Sequence, residues 1–416
     1  MDRIVSKGRL KGIVAPPCSK SYAQRALAVA LLASGKSVLR NMDFCNDTLS
    51  ALNCIKMLGA KAERTDEHTI VVEGGLKPRG NLLSVGESGL SARLFTPIAA
   101  LCGEPIVISG EGTLLYRPMD MMIQPLRALG VDVRDGGGRL PIEVCGPMKG
   151  GQIDVDGSVS SQFITGLLLS LPLAEQDTVI NVNAAVSKPY LDMTIDTAER
   201  FGVAIEHNDY EQFYIAGGQS YEAVEYDVEG DWSAAAMLLV AGAVAGEVAV
   251  KNISTLSKQA DVAICDALVR AGAELTSESD MVSAAHRALH GFEFDATNCP
   301  DLFPALATLA AAAEGESRIK GTHRLEHKES NRAEAIRTEF GKLGIEVDLS
   351  EEDIMIIRGG AIRGGVEVDS HGDHRMAMTL AVAGLLSDGG VTIHGAESVA
   401  KSYPDFFETL QMLRDE

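Results

Sequence analysis

The sequence predicts an α/β protein of two domains, each built from three repeated units whose cores are lined by helices. Three features of the chain predict it. Five segments resemble one another: "MLGAKAE", "ALGVDVR", "RFGVAIE", "RAGAELT" and "KLGIEVD". Their glycines, Gly59, Gly130, Gly202, Gly272 and Gly344, are spaced by 71, 72, 70 and 72 residues. Six segments rich in Ala and Leu fall about half a repeat earlier, and short Val/Ile runs such as "HTIVVEG" and "EVAVKNI" lie between them.

Each of the five segments closes an amphipathic run, sets down a Gly, then alternates apolar and polar residues. That reads as helix, Gly C-cap, strand. A sixth helix, "PDFFETLQMLRDE", ends the chain in the same phase without a following strand, and the N-terminal "RIVSKG" is the candidate to supply one. The Ala/Leu-rich set is "SKSYAQRALAVALL", "SGLSARLFTPIAAL", "SSQFITGLLLSLPL", "DWSAAAMLLVAGAV", "DLFPALATLAAAA" and "HRMAMTLAVAGLL". These are apolar around most of their circumference, as buried helices are. Two buried helices in every unit make a core lined by helices. Three units per core divide the chain into residues 13–227 and residues 1–12 plus 228–416. One open repeat array is the plainer alternative, but units this large tend to close on themselves.

Composition narrows the function. A chain of 416 residues holds more than one core. Its start, "MDRIVSKGRLKG", has no apolar segment of the kind a signal peptide needs. The longest apolar run, Trp232 to Gly246, falls short of the ~18 residues of a membrane span. Seven cysteines are scattered without a C-x-x-C pair, which suits reduced thiols in a cytoplasm. A net charge of −21 repels nucleic acid and anionic membranes, and leaves an anionic small molecule open as ligand of a local cationic site.

The residues with chemistry in them share one phase of the repeat. Lys20 and Ser21, Gly89 and Ser91, Ser160, Ser161 and Gln162, Asp231, Asp301, and His374 and Arg375 all fall where the Ala/Leu-rich helices begin. A helix N-terminus has free N–H groups and a partial positive charge. Lys and Arg there oppose the dipole, unless an anion neutralises both. The second helices begin alike, with Arg117-Pro118, "SKPYLD" from Ser187, "HKESNR" from His327 and "KSYPD" from Lys401. Together they predict a polyanion site.

Each residue has a plainer reading. Ser160, Ser161, Ser187, Asp231 and Asp301 are good N-caps, and Glu329 beside Lys328 is an ordinary surface pair. Recurrence at one phase, in a chain short of cations, weighs against those readings. "HGDHRM" offers His371, Asp373 and His374 to a metal, but Arg375 would repel one. Cys18 near Lys20 is inert packing or an activated thiol. No P-loop, G-x-G-x-x-G after a strand or G-x-S-x-G elbow occurs.

Ten segments, in order, carry a family resemblance: "PPCSKSYAQRAL", "GESGLSARLF", "YRPM", "VDGSVSSQF", "VSKPYLDMT", "VEGDWSAA", "CPDLFPALATLAA", "HKESNR", "GDHRMAM" and "AKSYPDFFETL". Over nearly its whole length the chain resembles the EPSP synthase (3-phosphoshikimate 1-carboxyvinyltransferase) family. The resemblance implies two domains of three βαββαβ units with helices inside, like an inverted α/β barrel, and an active site in the cleft between them. It implies transfer of the enolpyruvyl group of phosphoenolpyruvate to the 5-hydroxyl of shikimate 3-phosphate, with release of phosphate. Such enzymes serve aromatic amino acid biosynthesis, are the target of glyphosate, and use no metal or organic cofactor. A cytoplasmic monomer is implied, with small molecules rather than nucleic acid or membrane as partners.

By the same resemblance, Lys20, Ser21, Arg25, Ser160, Ser161, Gln162, Ser187, Asp301 and Lys328 hold shikimate 3-phosphate. Lys20, Gly89, Arg117, Gln162, Arg332, Arg375 and Lys401 hold phosphoenolpyruvate. Asp301 takes the hydroxyl proton, and Glu329 with Lys20 protonates the methylene carbon or the leaving oxygen. Two phosphates and two carboxylates call for Arg and Lys, and forming the C–O bond calls for a base and an acid. The chain departs from the family's pattern at Leu90, where many members have Thr, at Leu94, where many have Pro, and at Arg324, where some have Asn.

Two rival readings of the sequence stand beside this one. UDP-N-acetylglucosamine enolpyruvyl transferases share the fold, but carry a reactive Cys before the Arg-Pro pair and prefer Lys-Asn at the first helix. Here that loop is "SGEGTLLYRPM", and the pair is Lys20-Ser21. A non-catalytic anion-binding repeat protein would not need Asp301 and Glu329 within the cationic set.

Overall fold

A computed structural model describes residues 1–326 and 328–415. His327, which opens the "HKESNR" segment, lies outside them. The chain forms two compact units, Cys18–Glu229 and a split unit of Met1–Pro17 with Gly230–Glu416. The crossings therefore fall a few residues beyond 12/13 and 227/228. The cause is strand pairing. Leu10–Val14 lies parallel to Gly246–Lys251 up to Val14 and keeps residues 13–17 in the split unit. Glu225–Asp227 lies parallel to Lys36–Arg40, and the Val228 N–H donates to the Arg40 carbonyl, which keeps residues 228–229 in the other.

The 18–229 unit has helices α1 (Lys20–Leu32), α2 (Asn46–Met57), α3 (Gly89–Ala99), α4 (Ile123–Ala128), α5 (Gln162–Ser170) and α6 (Lys188–Arg200). The split unit has α7 (Trp232–Ala245), α8 (Ile264–Arg270), α9 (Phe303–Ala312), α10 (Arg332–Lys342), α11 (His374–Gly384) and α12 (Phe406–Met412). The Ala/Leu-rich helices are the odd-numbered ones, and they are buried on every side. All residues of α3 and α11 are buried, as are those of α7 except Ser233. The even-numbered helices keep one face in water, so each of the six repeats has one fully buried helix rather than two. Their amphipathic sequences leave Lys, Glu and Arg that must stay solvated.

Each helix core is walled by three small sheets. In the 18–229 unit, Leu82–Ser84 pairs in parallel with Ile106–Ser109, and Gly151–Asp156 with Thr178–Asn183. Between such partners runs a buried helix, the crossover that parallel pairing requires. The next two strands follow the half-buried helix as an antiparallel pair, such as Asp132–Asp135 with Ile142–Cys145. The order within a unit is therefore βαβαββ, not the βαββαβ that the resemblance implied. Strands such as Ile70–Glu73, Ile106–Ser109 and Val391–His394 alternate buried and half-buried residues. One face meets the helices and the other meets water.

The N-terminal segment completes two sheets of the split unit. Arg3–Val5 pairs antiparallel with Val391–His394 and supplies the strand missing after α12. Leu10–Val14 adds a second strand elsewhere, which the repeat count does not show. The five repeat glycines follow the C-caps of α2, α4, α6, α8 and α10 with φ of 125°, 86°, 86°, 86° and 83°. A side chain is strained in that region, which explains the recurrence of Gly. Inside α5, a Cβ on Gly166 would stand 2.6 Å from the Arg93 carbonyl oxygen, so α3 and α5 pack backbone to backbone.

Candidate active site

In the 18–229 unit the site residues cluster at the starts of α1, α3, α5 and α6. Ser19 caps α1 by accepting from the Tyr22 N–H. Lys20 follows, its Nζ 3.0 Å from Oδ2 of Asp47, a buried residue in the first turn of α2. One turn on, Arg25 is 1% exposed. Its guanidinium donates to Thr194 Oγ1 (2.9 Å), the Ser21 carbonyl (2.9 Å), Thr165 Oγ1 (3.2 Å) and the Tyr190 carbonyl (3.0 Å). These acceptors are neutral, so they satisfy its N–H groups without cancelling its charge. Burial pulls the guanidinium down to about 10. A buried cation held by neutral oxygens is costly alone and suited to an anion.

Gly89 opens α3 after the cap Ser88. A Cβ there would stand 2.8 Å from Arg117 Nη1, 3.4 Å from Arg93 Nη1 and 3.7 Å from Gln162 Oε1. Arg93 Nη1 donates to Gln162 Oε1 at 2.7 Å, and its Nη2 to the Pro118 carbonyl at 2.9 Å. Gly89, Arg117 and Gln162 are thus brought together, with Arg93 between them. Leu90 and Leu94, the departures in this helix, point into the hydrophobic core.

Ser160 Oγ accepts from the Gln162 N–H at 3.2 Å, so the capping reading holds for that serine. Ser161 and Ser187 make no side-chain cap bond. Ser187 has φ 55° and ψ 42°, a strained left-handed conformation for a side-chain-bearing residue, of the kind that clusters at functional sites. Its carbonyl accepts from Tyr190, whose own carbonyl holds Arg25.

The split unit gathers carboxylates and cations in one network. Asp301 stands in the turn Pro300–Leu302 before α9 and does not cap it. It accepts from Arg332 Nη1 (2.7 Å), Lys328 Nζ (3.2 Å) and Arg375 Nη2 (3.2 Å). Burial would raise its carboxyl, but Arg375, Lys328 and Arg332 overcome that and hold it well below the usual carboxylate range. Glu329 accepts from Arg332 Nη2 at 2.7 Å and lies 3.6 Å from Lys401 Nζ. Arg332 also donates to Asp373, the cap of α11. Burial disfavours its charge, yet Asp373, Glu329 and Asp301 raise its pKa. Burial lowers Lys328, which Asp301 only partly offsets and Arg324 reinforces. Burial opposes the charge of Arg375 too, and Asp301 more than restores it.

Asp231 caps α7, accepting from the Ala234 N–H at 2.8 Å. Asp261, in the turn Ala260–Ala263, accepts from the Ser233 hydroxyl. Burial first, then Asp301, push its carboxyl up to about 7 against Arg375. His374 is buried in α11, and His371 bonds Glu339. Among the described residues no three His, Cys, Asp or Glu side chains are grouped as metal ligands.

Sequence reasoning missed Asp47, Arg93 and Asp261, and weighed Asp373 only as a metal ligand, whereas it caps α11 and pairs with Arg332. Arg93 and Asp373 lay within quoted segments, one turn past Gly89 and one residue before α11. Asp47 and Asp261 carried no local signal.

Helices buried inside small sheets, with cations and carboxylates at their N-termini, define an enzyme for anionic substrates. The fold is that of the enolpyruvyl transferases: NikO from Streptomyces tendae matches with a TM-score of 0.80 at 19% identity, over 100% of this chain and 97% of its own. EPSP synthase from Acinetobacter baumannii matches with a TM-score of 0.85 at 27% identity, over 99% and 98%. The 3-phosphoshikimate 1-carboxyvinyltransferase of Methanocorpusculum labreanum is 37% identical, over 99% of this chain and 98% of its own. The family model for EPSP synthase (3-phosphoshikimate 1-carboxyvinyltransferase) matches residues 4–410, and the chain belongs to that family. Its reaction is the enolpyruvyl transfer of the shikimate pathway. Among the described residues, no helix is long and apolar enough to cross a membrane.

Proposed function

We propose that the two sets of residues serve one reaction between phosphoenolpyruvate and the 5-hydroxyl of shikimate 3-phosphate. Shikimate 3-phosphate is held by Lys20, Ser21, Arg25, Ser160, Ser161, Gln162, Ser187 and Lys328. Phosphoenolpyruvate is held by Lys20, Gly89, Arg117, Gln162, Arg332, Arg375 and Lys401. Asp301 accepts the 5-hydroxyl proton, and Glu329, with Lys20, delivers a proton to the vinyl methylene.

The observation that carries this reading is the sharing of Arg332 and Arg375 by Asp301. While both arginines and Lys328 bond Asp301, its carboxylate is too weak a base to take a hydroxyl proton. A substrate carboxylate competes for the same bidentate guanidinium groups. As the arginines turn to it, Asp301 loses the charges that depress its pKa and gains basicity when a hydroxyl is at hand. In the same exchange Glu329 gives up the Arg332 contact at 2.7 Å that favours its ionised form, so that it can take up a proton and deliver it to the methylene. Attack at C2, with a proton added to the methylene, gives a tetrahedral intermediate. Its collapse expels phosphate and returns a methyl proton to a base.

The protein acts on small molecules as a cytoplasmic monomer, without nucleic acid or membrane as partner. The net charge of −21 disfavours nucleic acid and anionic membranes, and seven free cysteines suit a reducing compartment. Phosphate release with phosphoenolpyruvate and shikimate 3-phosphate together, and with neither alone, tests the function. UDP-N-acetylglucosamine as acceptor gives the rival outcome. Asp301→Asn and Glu329→Gln should each lose about 10²-fold or more in turnover while staying folded, and near-normal turnover removes that residue from the mechanism.

A further inference from the structure

Glu339 lies on α10 seven residues beyond Arg332, about two turns along the same face. Its side chain is 1% exposed. Oε1 is 2.8 Å from Nε2 of His371, while Oε2 accepts from the Asp369 N–H at 3.0 Å and from Lys342 Nζ at 2.7 Å. At the other end of that segment, Arg332 donates to both oxygens of Asp373, at 2.8 and 3.3 Å. The stretch from Asp369 to Asp373 is thereby fastened to α10 at two points. Asp373 in turn accepts from the backbone N–H of Arg375 at 2.9 Å.

The backbone between the two fastenings is costly. His371 and Gly372 have φ of 54° and 67°. The left-handed region is ordinary for Gly and unfavourable for His. The imidazole contact with Glu339 gives a reason for a side chain to be held there. The turn has local support, His371 N–H donating to Asp369 Oδ1 and Gly372 N–H to Ser370 Oγ, and the imidazole contact adds a tie from it to α10.

We infer that Glu339 and His371 form a latch that sets where Arg375 stands relative to Arg332, and so position both arginines for the carboxylate of phosphoenolpyruvate. This rests on the assignment of Arg332 and Arg375 proposed above. Neither latch residue touches substrate. Glu339 fixes the start of the segment, Arg332 fixes its end, and the α11 cap passes that placement to Arg375. Loosening the first point lets the segment shift without breaking the second. A displacement of about 1 Å in such a clamp is enough to matter for the substrate it orients.

The test uses the full chain with Glu339→Gln and His371→Asn, singly and together. Asn keeps the left-handed backbone accessible but is too short to reach Glu339. Steady-state kinetics are read beside thermal melting. Glu339→Gln should raise KM for phosphoenolpyruvate about tenfold, and His371→Asn roughly threefold, with kcat and KM for shikimate 3-phosphate changed by no more than about twofold. The double variant should be no worse than Glu339→Gln, because the two residues act as one unit. A fall in melting temperature with KM for phosphoenolpyruvate unchanged would make the contact structural only and overturn the latch. If Glu339→Gln does not fold, His371→Asn decides alone, since that side chain is 38% exposed. A wild type that releases no phosphate with both substrates sinks the proposed function and the latch with it. An active wild type with unaltered variants sinks the latch alone.

Discussion

Arg332 Nε lies 2.8 Å from Asp373 Oδ2, and the two side chains are 1% and 0% exposed. One buried ion pair thus joins the first residue of α10 to the cap of α11. Removing one partner of such a pair leaves a buried charge without its counter-ion. Asp373→Asn keeps a good N-cap residue and deletes the charge. Arg332 retains Asp301 and Glu329, so the cost should fall near the low end for buried pairs, about 3 kcal/mol. Urea unfolding measures it, and a loss below about 1 kcal/mol would show that Asp301 and Glu329 suffice for Arg332.

Arg25 makes the opposite prediction. Its four bonds go to neutral oxygens, so Arg25→Met removes a buried charge and strands no carboxylate. Thr165 Oγ1 and Thr194 Oγ1, 3.0 Å apart, stay bonded to each other, and Thr194 still donates to the Tyr190 carbonyl. Replacing buried charge by apolar volume is often neutral or stabilising. Thermal melting should show little loss, while calorimetry should show shikimate 3-phosphate bound about 10²-fold more weakly. Equal affinity in the two proteins would take Arg25 out of the phosphate site.

Gly89→Ala tests the start of α3. The added Cβ would come 2.8 Å from Arg117 Nη1, the far end of a flexible side chain, so Arg117 must give way. Glyphosate fills the phosphoenolpyruvate site of the family and extends slightly beyond it. Its inhibition constant should rise at least about tenfold, or 1.4 kcal/mol, with a smaller rise in KM for phosphoenolpyruvate. Leu90 and Leu94 depart from the family's pattern in this helix, so the wild-type constant is measured alongside. Inhibition constants that do not differ would mean that Gly89 does not line the site.

Asp261 sets a pH dependence of stability. Burial, with Asp301, raises its carboxyl to about 7, against about 3.9 in an unfolded chain. Between those values the folded state binds the extra proton. Its contribution to stability is complete below about pH 4 and is lost as pH rises through about 7. Asp261→Asn should therefore flatten the decline in unfolding free energy between pH 5 and 8, an outcome read from urea midpoints at each pH. A decline of equal slope in wild type and variant would mean that Asp261 is ionised throughout.

Much of this protein was legible in its sequence because the signals were local. The repeat glycines at 59, 130, 202, 272 and 344 mark helix ends, since only the backbone conformation at that residue is at stake. The buried helices announced themselves by being apolar all round, and the cations at their first turns stood out against the dipole. What the sequence left open was which of these ends meet. Lys20 pairs with Asp47, Arg332 with Asp373 and Arg93 with Gln162, across 27, 41 and 69 residues. Leu10–Val14 pairs with Gly246–Lys251 over a longer separation, which moved the domain boundary to Pro17. Periodicity and capping depend on neighbours in the chain. Charge pairing and strand pairing depend on which surfaces the packed core brings together, and for these only the tertiary structure decides.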